Sequence, residues 1–345
     1  SKRAARSKIF LAKSDIPPNF SFWLGLDAIP GKDKGKLNTH HAMTSLWYNV
    51  LTFLICFACC QLRLVYGLAT PSAFCTVVYG PESSELALLT AKLAARESME
   101  TFCICSNGSE NTCRKLMYGI EYAETGIDVP GKAKAISDPE AMSSALEKAT
   151  ALTLIGERQP VDKEAVMTLI RNSGPNLSKI VLISKIGVTN ANSGFLGGNT
   201  MMKMLESERY IRSIAESKNI QFSIVRVGNL KGGGPGDSGN DFGLSKSYYN
   251  AIFDLVEAQV TMSHDRFSLG VECIQGDPLK LPNAFVALQT KSSFDPCPTD
   301  TNRINAAAGC VAALLAKEPL EFSVGTGKGE EPPSMDEWSN ILCNL

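Results

Sequence analysis

The stretch FCTVVYGPESSELALL, residues 74–89, decides the fold. Phe74–Tyr79 is a short apolar run that stops at Gly80, and Leu86, Leu89 and Leu93 then recur on one helical face. A buried strand, a tight turn and a helix in that order form the setting in which a glycine-rich loop cradles a pyrophosphate. Of the three glycines such a loop uses, only Gly80 is present.

The same alternation continues downstream. Further apolar runs suited to strands buried on both faces lie at Thr101–Ser106, Ala133–Ser137, Ala151–Ile155, Lys179–Ser184 and Gln221–Val227. Helical patterns separate them at Ser84–Glu97, Asn111–Glu124, Pro139–Lys148, Asp162–Arg171 and Thr200–Ser217. Asp138 before Pro139 is a strong helix start, because Asp caps and Pro suits the first helical position. Strands alternating with helices of this length predict right-handed crossovers and a parallel sheet.

Four segments carry a family resemblance. SKIVLISKIGV (178–188) resembles the fifth-strand segment of atypical short-chain dehydrogenase/reductases, where the strand ends in Ser and enters an Ile-Gly-Val turn. ESERYIRSIAESKNIQFSIVRVGNL (206–230) resembles the helix and strand that follow, with Val227 where the family's Arg-Pro-Gly strand end has Pro. DPEAMSSAL (138–146) and TNRINAAAGCVAALL (301–315) match as well. The likeness covers roughly residues 73–345 and is nearest the NmrA-like, NAD(P)-binding branch. It implies an α/β, Rossmann-type doubly wound parallel sheet, with a small C-terminal substrate-side region from about residue 232. The ligand then lies at the carboxyl ends of the strands, at the topological switch point.

The resemblance also implies a cofactor set: Gly80, Pro81, Ser83, Ser84, Ser106, Asn107, Arg114, Gly156, Lys203 and Arg226. Gly80 keeps the family's first glycine position, while Ser83 and Leu86 replace the second and third. Leu86 has the bulk to push the helix outward, and Glu82 and Glu85 bring negative charge to the place of a pyrophosphate. The Ser83 hydroxyl and the helix N-terminal N–H groups still offer anion donors. The turn reads equally as a plain, well-capped strand–helix junction. After the second strand, Ser106, Asn107 and Ser109 stand where an NAD site has a carboxylate, with Arg114 and Lys115 beyond. That pattern favours NADP (NADPH) over NAD, unless those cations are only a solvated helix face.

Catalytically active family members use a Tyr-x-x-x-Lys pair and a Ser. Here Ser184 ends the fifth strand and Lys203 lies at the front of the next helix, but Asn199 occupies the tyrosine position. An amide delivers no proton at neutral pH. Tyr210, on the same helix, is the substitute candidate acid, so the catalytic set is Ser184, Lys203 and Tyr210. Gly232-Gly233-Gly234 begin a flexible loop that borders the substrate pocket in the family. Three readings stand: a non-classical, weakly catalytic cofactor sensor or scaffold; an NADPH-dependent reductase or isomerase of a small apolar substrate; and a ligand-free structural protein. The partners these imply are a dinucleotide, together with such a substrate or a membrane-associated protein complex.

Composition excludes other classes. A net charge of −1 over 345 residues gives no global pull toward nucleic acid. Three histidines and eleven scattered cysteines form no zinc-ligand spacing and suit buried, reduced thiols. Residues 1–42 carry eight Lys/Arg and three Asp, are rich in Pro and Gly, and read as poorly ordered. Leu46–Cys60 is an uncharged apolar run of signal-peptide length directly after Met43. It reads as a signal, with translation from Met43, or as an anchor over 46–68. ATPSAF (69–74) resembles the signal–transit junction of algae with secondary plastids, which implies a plastid (chloroplast) address. Residues 1–72 thus form an extension and 73–345 the folded domain.

Overall fold

The computed structural model describes residues 74–80, 84–125, 129–156, 159–189, 198–235, 242–252, 255–278 and 300–345. The expectations for residues 1–72, and for Pro81 and Ser83, lie outside these residues. The strands are β1 (Cys75–Tyr79), β2 (Glu100–Ile104), β3 (Lys134–Ile136), β4 (Ala151–Ile155), β5 (Lys179–Lys185), β6 (Gln221–Val227), β7 (Asn229–Lys231), β8 (Gly270–Gln275), β9 (Asp300–Asn302) and β10 (Glu321–Gly327). The helices are α1 (Glu85–Arg96), α2 (Glu110–Tyr118), α3 (Ile120–Thr125), α4 (Pro139–Lys148), α5 (Lys163–Asn172), α6 (Gly198–Ser217), α7 (Ser247–Ala251), α8 (Leu255–Phe267), α9 (Arg303–Leu315) and α10 (Met335–Cys343).

The main sheet has eight strands in the order β3-β2-β1-β4-β5-β6-β10-β8. All neighbours pair in parallel except β8, which runs antiparallel along β10. This is the doubly wound, Rossmann-type order. Alternate residues of each strand supply two separate cores. Val78, Val181, Ile183 and Val225 pack toward α1, α2 and α9. Val77, Leu152, Leu154, Ile180, Leu182 and Ile224 pack toward α4, α5 and α6. Strands covered on both faces have no polar side to show, hence their near-continuous apolar runs.

Two local departures follow from backbone chemistry. The helix expected over 111–124 is two helices, because Gly119 takes φ +98° and ends α2 there. The C-terminal region contributes β10, which lies between β6 and the edge strand β8, and docks α10 on α9. Trp338 of α10 is fully buried against Gly309, where an added Cβ would lie 3.1 Å from the indole.

Candidate functional site

The switch point falls between β1 and β4. From β1 the chain turns into α1 on one face, and from β4 into α5 on the other. Gly80 and Gly156 end these two strands, so both stand at the mouth of the crevice. A Cβ on Gly80 would come within 2.9 Å of the Ala87 Cβ and 3.0 Å of the Ser84 hydroxyl oxygen. Glycine is therefore required for α1 to start this close to β1. The close approach is made at Ala87, and Leu86 is buried in the core instead of wedging the helix away. Ser84 caps α1 by accepting the Ala87 N–H at 3.0 Å. Gly156 donates its N–H to the Ile183 carbonyl at 2.9 Å, and a Cβ there would press on that same oxygen.

The turn after β2 is polar and exposed. The Ser106 carbonyl accepts both the N–H and the hydroxyl of Ser109, at 3.0 and 2.6 Å, which presents Ser106 and Asn107 to solvent. Beyond it, a cavity of about 660 Å³ opens at the end of β3, lined in part by Glu110, Arg114, Glu124, Ser137 and Asp138. Arg114 thus shares its surroundings with three carboxylates, two of them engaged. The Ser137 hydroxyl donates to Glu110, holding that carboxyl below its usual range, and Asp138 accepts the Ala141 N–H at 2.9 Å as the α4 cap. Lys115 points its side chain into solvent.

The three catalytic candidates lie on β5 and α6. Ser184 is buried at the end of β5, in register with Arg226. Lys203 is exposed on α6. Tyr210 packs its ring among apolar side chains, with the Lys163 ammonium 5.6 Å from the ring centroid. No hydrogen bond joins Ser184, Lys203 and Tyr210 among the described residues. Asn199 lies in α6 four residues before Lys203, and its side chain is outside the described set.

Arg226, expected in the cofactor set, is instead engaged by two carboxylates. Its guanidinium is 1 % exposed and forks onto Glu208 of α6 at 3.1 and 2.7 Å, while Nη1 donates to Glu321 of β10 at 2.8 Å. Arg212 donates to the other Glu321 oxygen at 2.8 Å. Burial opposes the Arg226 charge and the two carboxylates outweigh that effect, so its pKa rises and it stays a cation. This residue ties α6 to the sheet through three of its five N–H donors.

The glycine run also differs from the flexible loop expected. Gly232–Pro235 are buried. The Asp265 carboxylate of α8 accepts the N–H groups of Gly233 and Gly234 at 2.8 and 2.9 Å, and the Tyr249 hydroxyl at 3.0 Å. A Cβ on Gly234 would meet the Tyr249 ring at 2.4 Å. The glycines announce a close approach, but the chain itself is what approaches. Burial pushes the Asp265 carboxyl up to about 6 against these donors and Asn302. A second carboxylate absent from the sequence reading, Asp277, clasps the turn after β5. Neither acid has a local motif. Both become visible only when the chain returns to the carboxyl end of the sheet.

No group of metal-ligating side chains and no helix long and apolar enough to cross a membrane occurs among the described residues. No family model and no curated protein matches the chain. Solved structures similar to it include yeast methylglyoxal/isovaleraldehyde reductase Gre2 complexed with NADPH (8 % identity, 72 % of this chain and 74 % of that one, TM-score 0.43). Gre2 from Candida albicans with NADPH is another (10 %, 74 % and 79 %, TM-score 0.44). A third is ChuY, an anaerobillin reductase from Escherichia coli O157:H7 (12 %, 75 % and 99 %, TM-score 0.41). At these scores the fold rests on the strand order itself.

Proposed function

We propose that the chain is a dinucleotide-binding protein of the short-chain dehydrogenase/reductase type, with NADPH as its favoured ligand. In this reading it has little oxidoreductase turnover and acts as a cofactor sensor or scaffold. The observation that carries the reading is the strand order, whose switch point lies between Gly80 and Gly156. The residues present fit such a ligand. The N-terminus of α1, which Ser84 caps, would meet the pyrophosphate end. Ser106 and Asn107 would offer exposed donors at the adenosine end, and Arg114 follows on α2. A bound nicotinamide would supply hydride chemistry. Asn199, the exposed Lys203 and the packed Tyr210 leave proton delivery without an assembled centre.

The absence of a carboxylate from the Ser106–Ser109 turn supports NADPH over NADH. Asn107 is exposed, so Asn107→Asp leaves the fold alone while placing a carboxylate at the ribose position. Calorimetry of this variant should show NADPH binding weakened at least tenfold relative to NADH. An unchanged ratio would remove the adenosine end from this turn. The plastid address is part of the same proposal, and N-terminal sequencing of the native protein tests it by finding a mature start near Phe74 or an intact Ser1.

A further inference from the structure

The turn that leaves β5 has the form of an anion receptor. Gly187, at φ +88°, lets Ile186–Thr189 curl so that N–H groups converge on one point. The Gly187 N–H meets Asp277 Oδ1 at 2.7 Å, and the Thr189 N–H and hydroxyl meet Oδ2 at 3.0 and 2.9 Å. Three donors thus bind both oxygens of a planar carboxylate that comes from about 90 residues away in sequence. Thr189 is exposed and Asp277 only half-buried, so the receptor opens to solvent. Its place is also informative. It begins three residues after Ser184, at the carboxyl end of β5, the end of the sheet on which Gly80 and Gly156 stand. Doubly wound sheets bind their ligands outside that end.

We propose that the Gly187–Thr189 turn is a recognition site for the carboxylate of a small-molecule ligand, and that Asp277 is its built-in occupant, displaced when that ligand binds. The site stands apart from the dinucleotide reading, since its donors lie beyond β5 and none of them belongs to the β1–α1 turn. An intramolecular carboxylate competes at an effective concentration in the millimolar range or above, so the intact chain responds only to high ligand concentrations.

The test is a thermal-shift titration of the full chain with sodium acetate, against sodium chloride and phosphate at matched ionic strength. Asp277→Ala opens the receptor. Acetate should then raise its melting temperature by about 3–5 °C at ten times the dissociation constant. The wild type should need at least tenfold more acetate for the same shift. Adding Thr189→Val to Asp277→Ala removes one donor and should weaken the acetate response severalfold. Asp277→Asn keeps the side-chain volume in case the alanine variant folds poorly. There, acetate should slow hydrogen exchange at the Gly187 and Thr189 amides. A folded Asp277 variant with no acetate response, or one responding equally to phosphate or chloride, overturns the proposal. So does a wild type as sensitive as Asp277→Ala.

Discussion

Replacing Glu208 by Ala tests whether Arg226 is a packing cation. In the intact protein the guanidinium is 1 % exposed and the Glu208 side chain 5 %, with two bonds of 3.1 and 2.7 Å between them. Each charge-assisted bond is worth about 1.5–3 kcal/mol, and breaking one partner out of a buried pair costs about 3–5 kcal/mol. Glu321 remains on Nη1, but its side chain is 38 % exposed and faces Arg212 as well, so it compensates only in part. We therefore expect about 3–4 kcal/mol of destabilisation, or roughly 6–16 °C in melting temperature for a domain of this size. Urea unfolding followed by circular dichroism reads this directly, with a lower midpoint and an unchanged slope. The double variant Arg226→Met, Glu208→Leu removes both charges and should recover to within about 1 kcal/mol of wild type. A loss below about 1 kcal/mol for Glu208→Ala would refute the assignment, because a buried guanidinium left with only the half-exposed Glu321 cannot be that cheap.

Three further outcomes follow from the same structure. Trp338→Ala empties the space facing Gly309 and should cost about 3–5 kcal/mol in urea unfolding. The Asp265 carboxyl is raised from 3.8 to about 6 on folding, so well below pH 3.8 both states are protonated and the stabilisation is complete. It is lost as pH rises through 6, by about 3 kcal/mol in all, and the stability difference between wild type and Asp265→Asn from pH 4 to 7 should show that slope. Asn199→Tyr rebuilds a tyrosine one helical turn before Lys203. It should raise NADPH oxidation, assayed on a panel of quinones, aldehydes and enones, toward the roughly 10²–10⁴-fold that acid–base assistance contributes.

The parallel half of the fold is legible in the chain because both-face burial writes itself as apolar runs. Each of the six strands read from sequence is present between residues 74 and 227. Apolar periodicity continues from Met117 to Tyr122, so it cannot register the break that Gly119 makes at φ +98°. The C-terminal strands are harder, since β8 is an edge with mostly half-exposed residues and β10 is defined by partners on β6 and β8. The candidate site divides along the same line. Gly80, Ser84 and Gly156 are local turn chemistry, directly after β1 and β4, where the resemblance alone placed them in the cofactor set. The role of Arg226 depends on carboxylates 18 and 95 residues away, and the glycine run depends on Asp265, so neither could be assigned from neighbours in sequence.

Whether the crevice between β1 and β4 holds a dinucleotide is decided by titrating the full chain with NADPH, NADP, NADH and NAD. The readouts are calorimetry and thermal unfolding. Binding stabilises the folded state by about 2.7 kcal/mol at one hundred times the dissociation constant, or roughly 5–11 °C here. A dinucleotide site in this crevice gives saturable binding with NADPH ahead of NADH. Unfolding curves that stay within about 1 °C of the free protein in millimolar amounts of all four would contradict it.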